Sequence, residues 1–212
     1  MLFIGQMELK NITYPEETYL LGKVNKMYIT TDGISCLANN FNERPKSLPA
    51  PVVKLGTINF TGEISGFFDN LVAFGKLSSS IGSIQTDLIF GSNKDKNIAA
   101  YLRGRIASSN LRLHELFGEN NPFGEARFDI NIDTRRPVGG NFSGNIQAQV
   151  KEFDYKAYKY KDINLSGNFR KSSFDGTIHV NDPNGELHAQ GIFQHQGQNS
   201  LFNFTARLDH FR

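Results

Sequence analysis

The chain has 212 residues, with 39% hydrophobic and 21% charged side chains, so it can bury a sizeable core and does not have the composition of a disordered segment. Twenty-three Lys and Arg against twenty-one Asp and Glu leave a net charge of +2, which is no footprint for nucleic acid. A single cysteine, Cys36, excludes an internal disulfide framework and a cysteine-based metal centre.

The N-terminal Met1-Leu-Phe-Ile-Gly-Gln-Met-Glu has no charged segment ahead of an apolar stretch and is not read as a signal peptide. No apolar run approaches the roughly 18 residues of a membrane-spanning helix. The expectation is a cytoplasmic chain or a section of a longer exported one. A first β part over 1–50 leads to a proline-rich crossing at 44–51, Arg-Pro-Lys-Ser-Leu-Pro-Ala-Pro. Residues 51–212 then read as one long β-meander.

Period-two alternation runs through most of the chain. Ile58, Phe60 and Ile64 share a face early on. In 125–133, Ala126, Phe128, Ile130 and Ile132 share one face and Arg127, Asp129, Asn131 and Asp133 the other. Phe142, Gly144, Ile146, Ala148 and Val150 continue the apolar set, followed by Ile163, Leu165, Gly167 and Phe169. Ile178 and Val180 come next, then Leu187, Ala189 and Phe193, and last Phe202, Phe204, Ala206 and Leu208. Antiparallel strands with one wet face have this signature. The turns between them are short, as at Asp182-Pro-Asn-Gly185, which excludes crossover helices. The best helical window is Asn110-Leu-Arg-Leu-His-Glu-Leu-Phe-Gly118, so at most one short helix is expected, near 110–117. The fold class is all-β: an antiparallel meander forming an elongated curled sheet or open groove.

Glycines recur inside the apolar face at Gly62, Gly104, Gly144, Gly167 and Gly191, with Gly82 and Gly124 as weaker members. Their spacing suggests a stacked β repeat, and glycines on one face favour curling toward it.

Catalytic motifs are missing: no Gly-x-Ser-x-Gly, no phosphate-binding loop and no His-Glu-x-x-His. The chain reads as a non-enzyme with no catalytic residues and no cofactor. His114-Glu115 has no second histidine at the next turn and reads as a surface pair. If Asp182–Gly185 is a turn, His179 lies opposite His188 on the polar face. Glu186 and His195 stand too far along to complete a ligand set on this reading, so a solvated pair and no metal are expected. Lys151-Glu-Phe-Asp-Tyr-Lys-Ala-Tyr-Lys-Tyr-Lys161 interleaves basic and aromatic residues, but its acidic members and the low net charge favour connecting strands over a nucleic-acid platform. The Asn-x-Ser/Thr triplets at Asn11, Asn59, Asn141, Asn164 and Asn203 follow from alternation itself.

Tyr158-Lys-Tyr-Lys-Asp-Ile-Asn-Leu-Ser-Gly-Asn-Phe-Arg170 and Phe174-Asp-Gly-Thr-Ile-His-Val-Asn-Asp-Pro-Asn-Gly-Glu-Leu-His-Ala-Gln-Gly191 resemble the TamB/AsmA-like family of envelope-spanning β-groove proteins. The leucine-rich turn at 110–118 followed by Gly124-Glu-Ala-Arg-Phe-Asp-Ile130 is similar to that family's pattern. The resemblance covers 100–212 and, more weakly, 50–100. It implies an interior fragment of an inner-membrane-anchored periplasmic protein that transports phospholipid between membranes or assists outer-membrane assembly. Its implied partners are lipid acyl chains, an outer-membrane assembly β-barrel protein and flanking parts of the same long chain.

The apolar face demands a cover. Leaving more than a dozen large side chains wet would forfeit on the order of 30 kcal/mol, more than a domain's typical net stability of about 5–15 kcal/mol. The sheet's own curl, a second sheet or lipid would each serve. The groove lining is therefore expected at Ile58, Phe60, Ile64, Phe128, Ile130, Ile132, Phe142, Ile146, Val150, Ile163, Leu165, Phe169, Ile178, Val180, Leu187, Phe193, Phe202, Phe204 and Leu208. A β-sandwich scaffold or adhesion module of the cell envelope is the alternative. A sugar-binding or hydrolytic domain would need clustered aromatics and paired carboxylates on a concave polar face, and the sequence shows no such cluster.

Overall fold

A computed structural model describes residues 1–14, 17–40, 53–93, 95–118, 121–196 and 199–210. These residues form one open sheet of twelve antiparallel strands whose spatial order is the chain order. The strands are β1 (Leu2–Lys10), β2 (Tyr19–Ile29), β3 (Ile58–Phe67), β4 (Asn70–Ser79), β5 (Gly82–Asn93) and β6 (Ile98–Arg112). They continue as β7 (Phe123–Pro137), β8 (Ser143–Tyr155), β9 (Tyr158–Arg170), β10 (Ser173–Asp182), β11 (Gly185–Gln196) and β12 (Asn199–Asp209). The all-β meander expected from alternation is the fold observed. β2 pairs directly with β3, so a single sheet runs from the first strand to the last. The proline-rich crossing at 44–51 lies outside the described residues.

Among the described residues, two short helices with complete bounds interrupt the meander. The one expected near 110–117 is α2 (Leu113–Phe117); residues 110–112 belong to β6 instead. Gly118 closes α2 with φ 101°, its N–H donating to the His114 carbonyl. The other, α1 (Thr31–Asn40), corrects the expectation of at most one helix. Its signal is local: the Thr30 hydroxyl accepts the Gly33 N–H at 3.3 Å and Asp32 sits in the first turn.

Tight turns set the register. Pro183 and Asn184 join β10 to β11, and the Asp182 carboxylate accepts the Asn184 N–H at 3.0 Å. Lys156 and Ala157 join β8 to β9, both with positive φ (49° and 64°), as a hairpin turn of matching twist requires.

The main-chain ladder carries side-chain rows across the sheet. One row runs Phe60, Leu77, Ile84, Ser108, Phe128, Val150, Ile163, Val180, Leu187 and Leu208, one residue per strand from β3 to β12. Two rows away, on the same face, another row passes through Gly167, Gly176 and Gly191 on β9, β10 and β11 before Phe204 on β12. The chain backbones approach closely there: a methyl group built on Gly176 would stand 2.2 Å from the Ser166 carbonyl oxygen and 2.7 Å from the Phe174 ring. The Phe174 ring lies over this glycine track.

Side chains buried on every side are few. Val24, Ile29, Ile58 and Phe60 are buried on β2 and β3, Ile81 in the β4–β5 turn, and Leu111 and Ala126 on β6 and β7. The Phe117 ring on α2 meets Phe123 edge-on at 6.0 Å, joining the helix to an aromatic cluster with Phe153 and Tyr155.

Two substitutions of opposite sign test this backbone account. Gly176→Ala removes strand glycine entropy yet introduces a collision, and should destabilise by about 1–3 kcal/mol. Ala157→Gly relieves a left-handed alanine and should stabilise by about 1 kcal/mol. Thermal unfolding reads both; a rise in Tm for Gly176→Ala contradicts the close approach of β9 and β10.

Candidate functional site: the apolar face

Four aligned rows make the apolar face. Besides the row from Phe60 to Leu208, a second, two rows away, runs from Ile64 through Leu88, Ile132 and Ile146 to the glycine track and Phe204. A third includes Ile106, Ile130, Leu165 and Ile178, and a fourth carries Phe90, Leu102, Phe169, Phe174, Phe193 and Phe202. Nine gaps of about 4.8 Å make it roughly 43 Å across the strands, and three two-residue steps make it roughly 20 Å along them. That is a footprint of roughly 900 Å².

Nothing described stacks on this face as a second layer. Extensive contacts between the described strands run only between chain neighbours, and α2 touches β7 at one end. Side chains in the rows shield one another and are mostly half-buried through β7 to β10, while Phe193 on β11 is exposed and Phe202, Phe204 and Leu208 on β12 are 60%, 53% and 57% exposed. Of the expected lining residues, Phe142 alone stands off a strand: β8 begins at Ser143, and Phe142 precedes it with the Arg136 guanidinium 5.6 Å from its ring centre.

A paired irregularity adds aromatic residues that alternation did not reveal. The β7–β8 register shifts between Arg127 and Phe128, leaving Lys151 as an extra residue on β8, and Asp162 on β9 takes φ 46°. Phe153 and Tyr160 therefore pair on the apolar side, followed by Tyr155 and Tyr158. The basic-aromatic stretch 151–161 is thus split, with rings on one face and charges on the other. Tyr158, Tyr160, Val180, Leu187 and Leu208 line a hollow of about 460 Å³ on the apolar face. At its rim the Tyr158 hydroxyl donates to the Asp182 carboxylate, which also accepts the Lys161 N–H at 3.0 Å. Burial pushes the Asp182 carboxyl up, but these hydrogen bonds outweigh it and hold the group below the usual carboxylate range. The same bond raises the Tyr158 hydroxyl above its ordinary value.

The polar face is laced by ion pairs and has the larger hollow, about 1040 Å³, lined by Tyr101, Arg103, Asp133, Arg135, Asn145 and Arg170 among others. Hollows on opposite faces are what a twisted sheet provides, since a saddle is concave along one diagonal on each side. The inward glycines pointed only to the apolar one. Arg103 meets Asp133 at 2.9 Å, and Arg105 grips Asp129 with two nitrogens, Nε to Oδ1 at 2.7 Å. That hydrogen-bonded guanidinium holds the Asp129 carboxyl below the usual range.

Also on this face, His179 and His188 stand opposite each other, as the turn register predicted. Their rings stack with centres 3.9 Å apart and planes 16° apart. Glu186 corrects the expectation that it lies too far along. Its Oε1 is 3.0 Å from His179 Nε2 and 2.9 Å from His188 Nε2, because a diagonal neighbour across a strand pair is within reach of a long side chain. The hydrogen bond to His188, then that to His179, lowers the Glu186 carboxyl from its ordinary value. His195 stays apart, its Nδ1 3.1 Å from the Ser200 hydroxyl.

A depressed Asp129 makes the Arg105–Asp129 bridge stabilising above the unfolded-state carboxylate pKa, with the benefit lost as pH falls through the lower folded-state value. Arg105→Gln should therefore lower Tm at pH 7, and the deficit should close on acidification below the normal aspartate range. Calorimetry across pH measures it; a deficit that persists at low pH rules out the bridge as its source.

No protein-family model, no curated protein and no solved structure matches the chain.

Proposed function

We propose that this chain is a non-enzymatic section of a hydrophobic β-sheet groove that carries lipid acyl chains across a cell-envelope space. The observation that carries the reading is the apolar face itself: a footprint of roughly 900 Å² on a single-layer sheet, mostly aliphatic and aromatic side chains with glycines, Ser108, Thr86 and Thr134 among them, and no second layer over it among the described residues. Water is a poor cover for such a surface. An acyl chain is a good one, since it needs area and no directional hydrogen bonds, and burying each of its methylenes is worth about 0.8 kcal/mol.

The resemblance of 158–191 to the TamB/AsmA-like pattern adds a setting: the periplasm, phospholipid as cargo, and an outer-membrane assembly β-barrel protein and flanking sheet as neighbours. A β-sandwich scaffold or adhesion module is the competing reading. Its covering layer is not among the described strands, whose extensive contacts are all with their chain neighbours.

A photoreactive residue placed at Phe128, Ile146 or Phe204 should crosslink to phospholipid in vesicles of phosphatidylethanolamine and phosphatidylglycerol, and one at Asn131 or Asn145 should not. Ile146→Asp should abolish lipid capture, because an unpaired carboxylate among acyl chains is costly, while Asn145→Asp on the opposite face should leave it intact. Equal labelling of both faces, or protein adducts in place of lipid adducts from Phe128 and Phe204, sinks the lipid reading.

A further inference from the structure

We propose that His179, Glu186 and His188 form a zinc-class divalent metal site on the polar face of the β10–β11 hairpin. The three ligand atoms lie within 4.8 Å of one another, with Glu186 Oε1 3.0 Å from His179 Nε2 and 2.9 Å from His188 Nε2. A tetrahedral zinc ion with bonds of about 2.0–2.1 Å separates its ligands by about 3.3 Å, so the two Glu186–His spacings open slightly and the stacked rings, 16° from parallel, tilt apart to bring both Nε2 lone pairs onto the ion. Two imidazoles and one carboxylate are a donor set that zinc accepts, and the fourth position is left for water on this exposed face.

The arrangement is held from several sides. Register places His179 opposite His188, and two-residue spacing puts Glu186 on the same face as His188. The stacked rings direct both Nε2 atoms at a single carboxylate oxygen. No cation occupies the place: Arg207 on β12 stands opposite His188, but its Nε is turned to Asp209 at 2.7 Å. On the other side, β9 presents Asn164 opposite His179, a neutral neighbour. For metal to bind, each ring carries its proton on Nδ1 and offers the Nε2 lone pair, so no net proton leaves a neutral histidine. The ion would replace two hydrogen bonds by three metal bonds spanning both strands, clamping β10 to β11. The site lies on the face opposite the acyl-chain surface and stands or falls separately from it.

The test uses the chain without a histidine tag. Calorimetric titration with zinc chloride should show one ion per chain, with Tm rising as zinc increases. Glu186→Gln should weaken binding by about tenfold or more, and His179→Ala with His188→Ala should remove it. His195→Ala should change neither, and circular dichroism checks that each variant keeps its strands. Copper(II) spin resonance should report two nitrogen ligands in the unaltered chain and none in the double variant. The proposal is overturned if zinc uptake does not saturate, if the folded double variant binds as tightly as the unaltered chain, or if His195→Ala abolishes binding.

Discussion

Main-chain hydrogen bonding between consecutive strands is the constraint on which the rest of this molecule depends. A sheet with no second layer has few side chains buried from all directions, so what holds β7 to β8, or β9 to β10, is the ladder of N–H and C=O pairs and the cross-strand side-chain rows it aligns. The rows are continuous because the hairpins are tight: a one-residue slip of a strand would send its own row members, such as Val150 on β8, to the opposite face. Two-residue turns such as Pro183–Asn184 and Lys156–Ala157 thus act far from where they sit.

The two faces answer this constraint differently. On the polar side, neighbouring strands are joined by charge, with Arg103 to Asp133 and Arg105 to Asp129 bridging β6 and β7. Exposed bridges of this kind contribute little to stability, and their service is register: like charges placed opposite would penalise a slip. On the apolar side, side chains shield one another sideways and leave their tips open. Bulges at Lys151 and Asp162 turn the aromatic residues of β8 and β9 onto that side. Together with Phe117 on α2 they gather rings at one end of the face, where the helix also docks.

Much of this was legible in the sequence. Alternation identified the faces of β7 to β12, and the Asp182–Gly185 turn identified the His179–His188 pairing, because period two and a two-residue loop leave one register that buries Val180 with Leu187. What escaped notice has specific physical causes. A bulge breaks the period, so 151–161 read as a mixed segment although its rings share a face. Helix α1 is started by a threonine cap and carries a glycine in its first turn, which weakens a helical pattern. Glu186 is two residues from His188 along β11, but its reach to His179 is diagonal, across the gap to the neighbouring strand, a relation that linear spacing does not show. The large polar hollow comes from sheet twist, a collective property that no local pattern encodes.

Because each strand meets little besides the strand before it and the strand after it, the sheet is close to a one-dimensional object. Its stability is a sum of neighbour terms rather than the property of one shared core, as in stacked repeat proteins. Loss of β12 would expose β11 and leave β3 to β8 untouched. Pulled from one end, such a sheet peels strand by strand at modest force; pulled along the strands, it must shear whole ladders at once. The same locality favours rapid assembly, since each new hairpin closes a short loop onto an edge already formed. A molecule built this way can be lengthened or shortened by a hairpin without redesigning its interior.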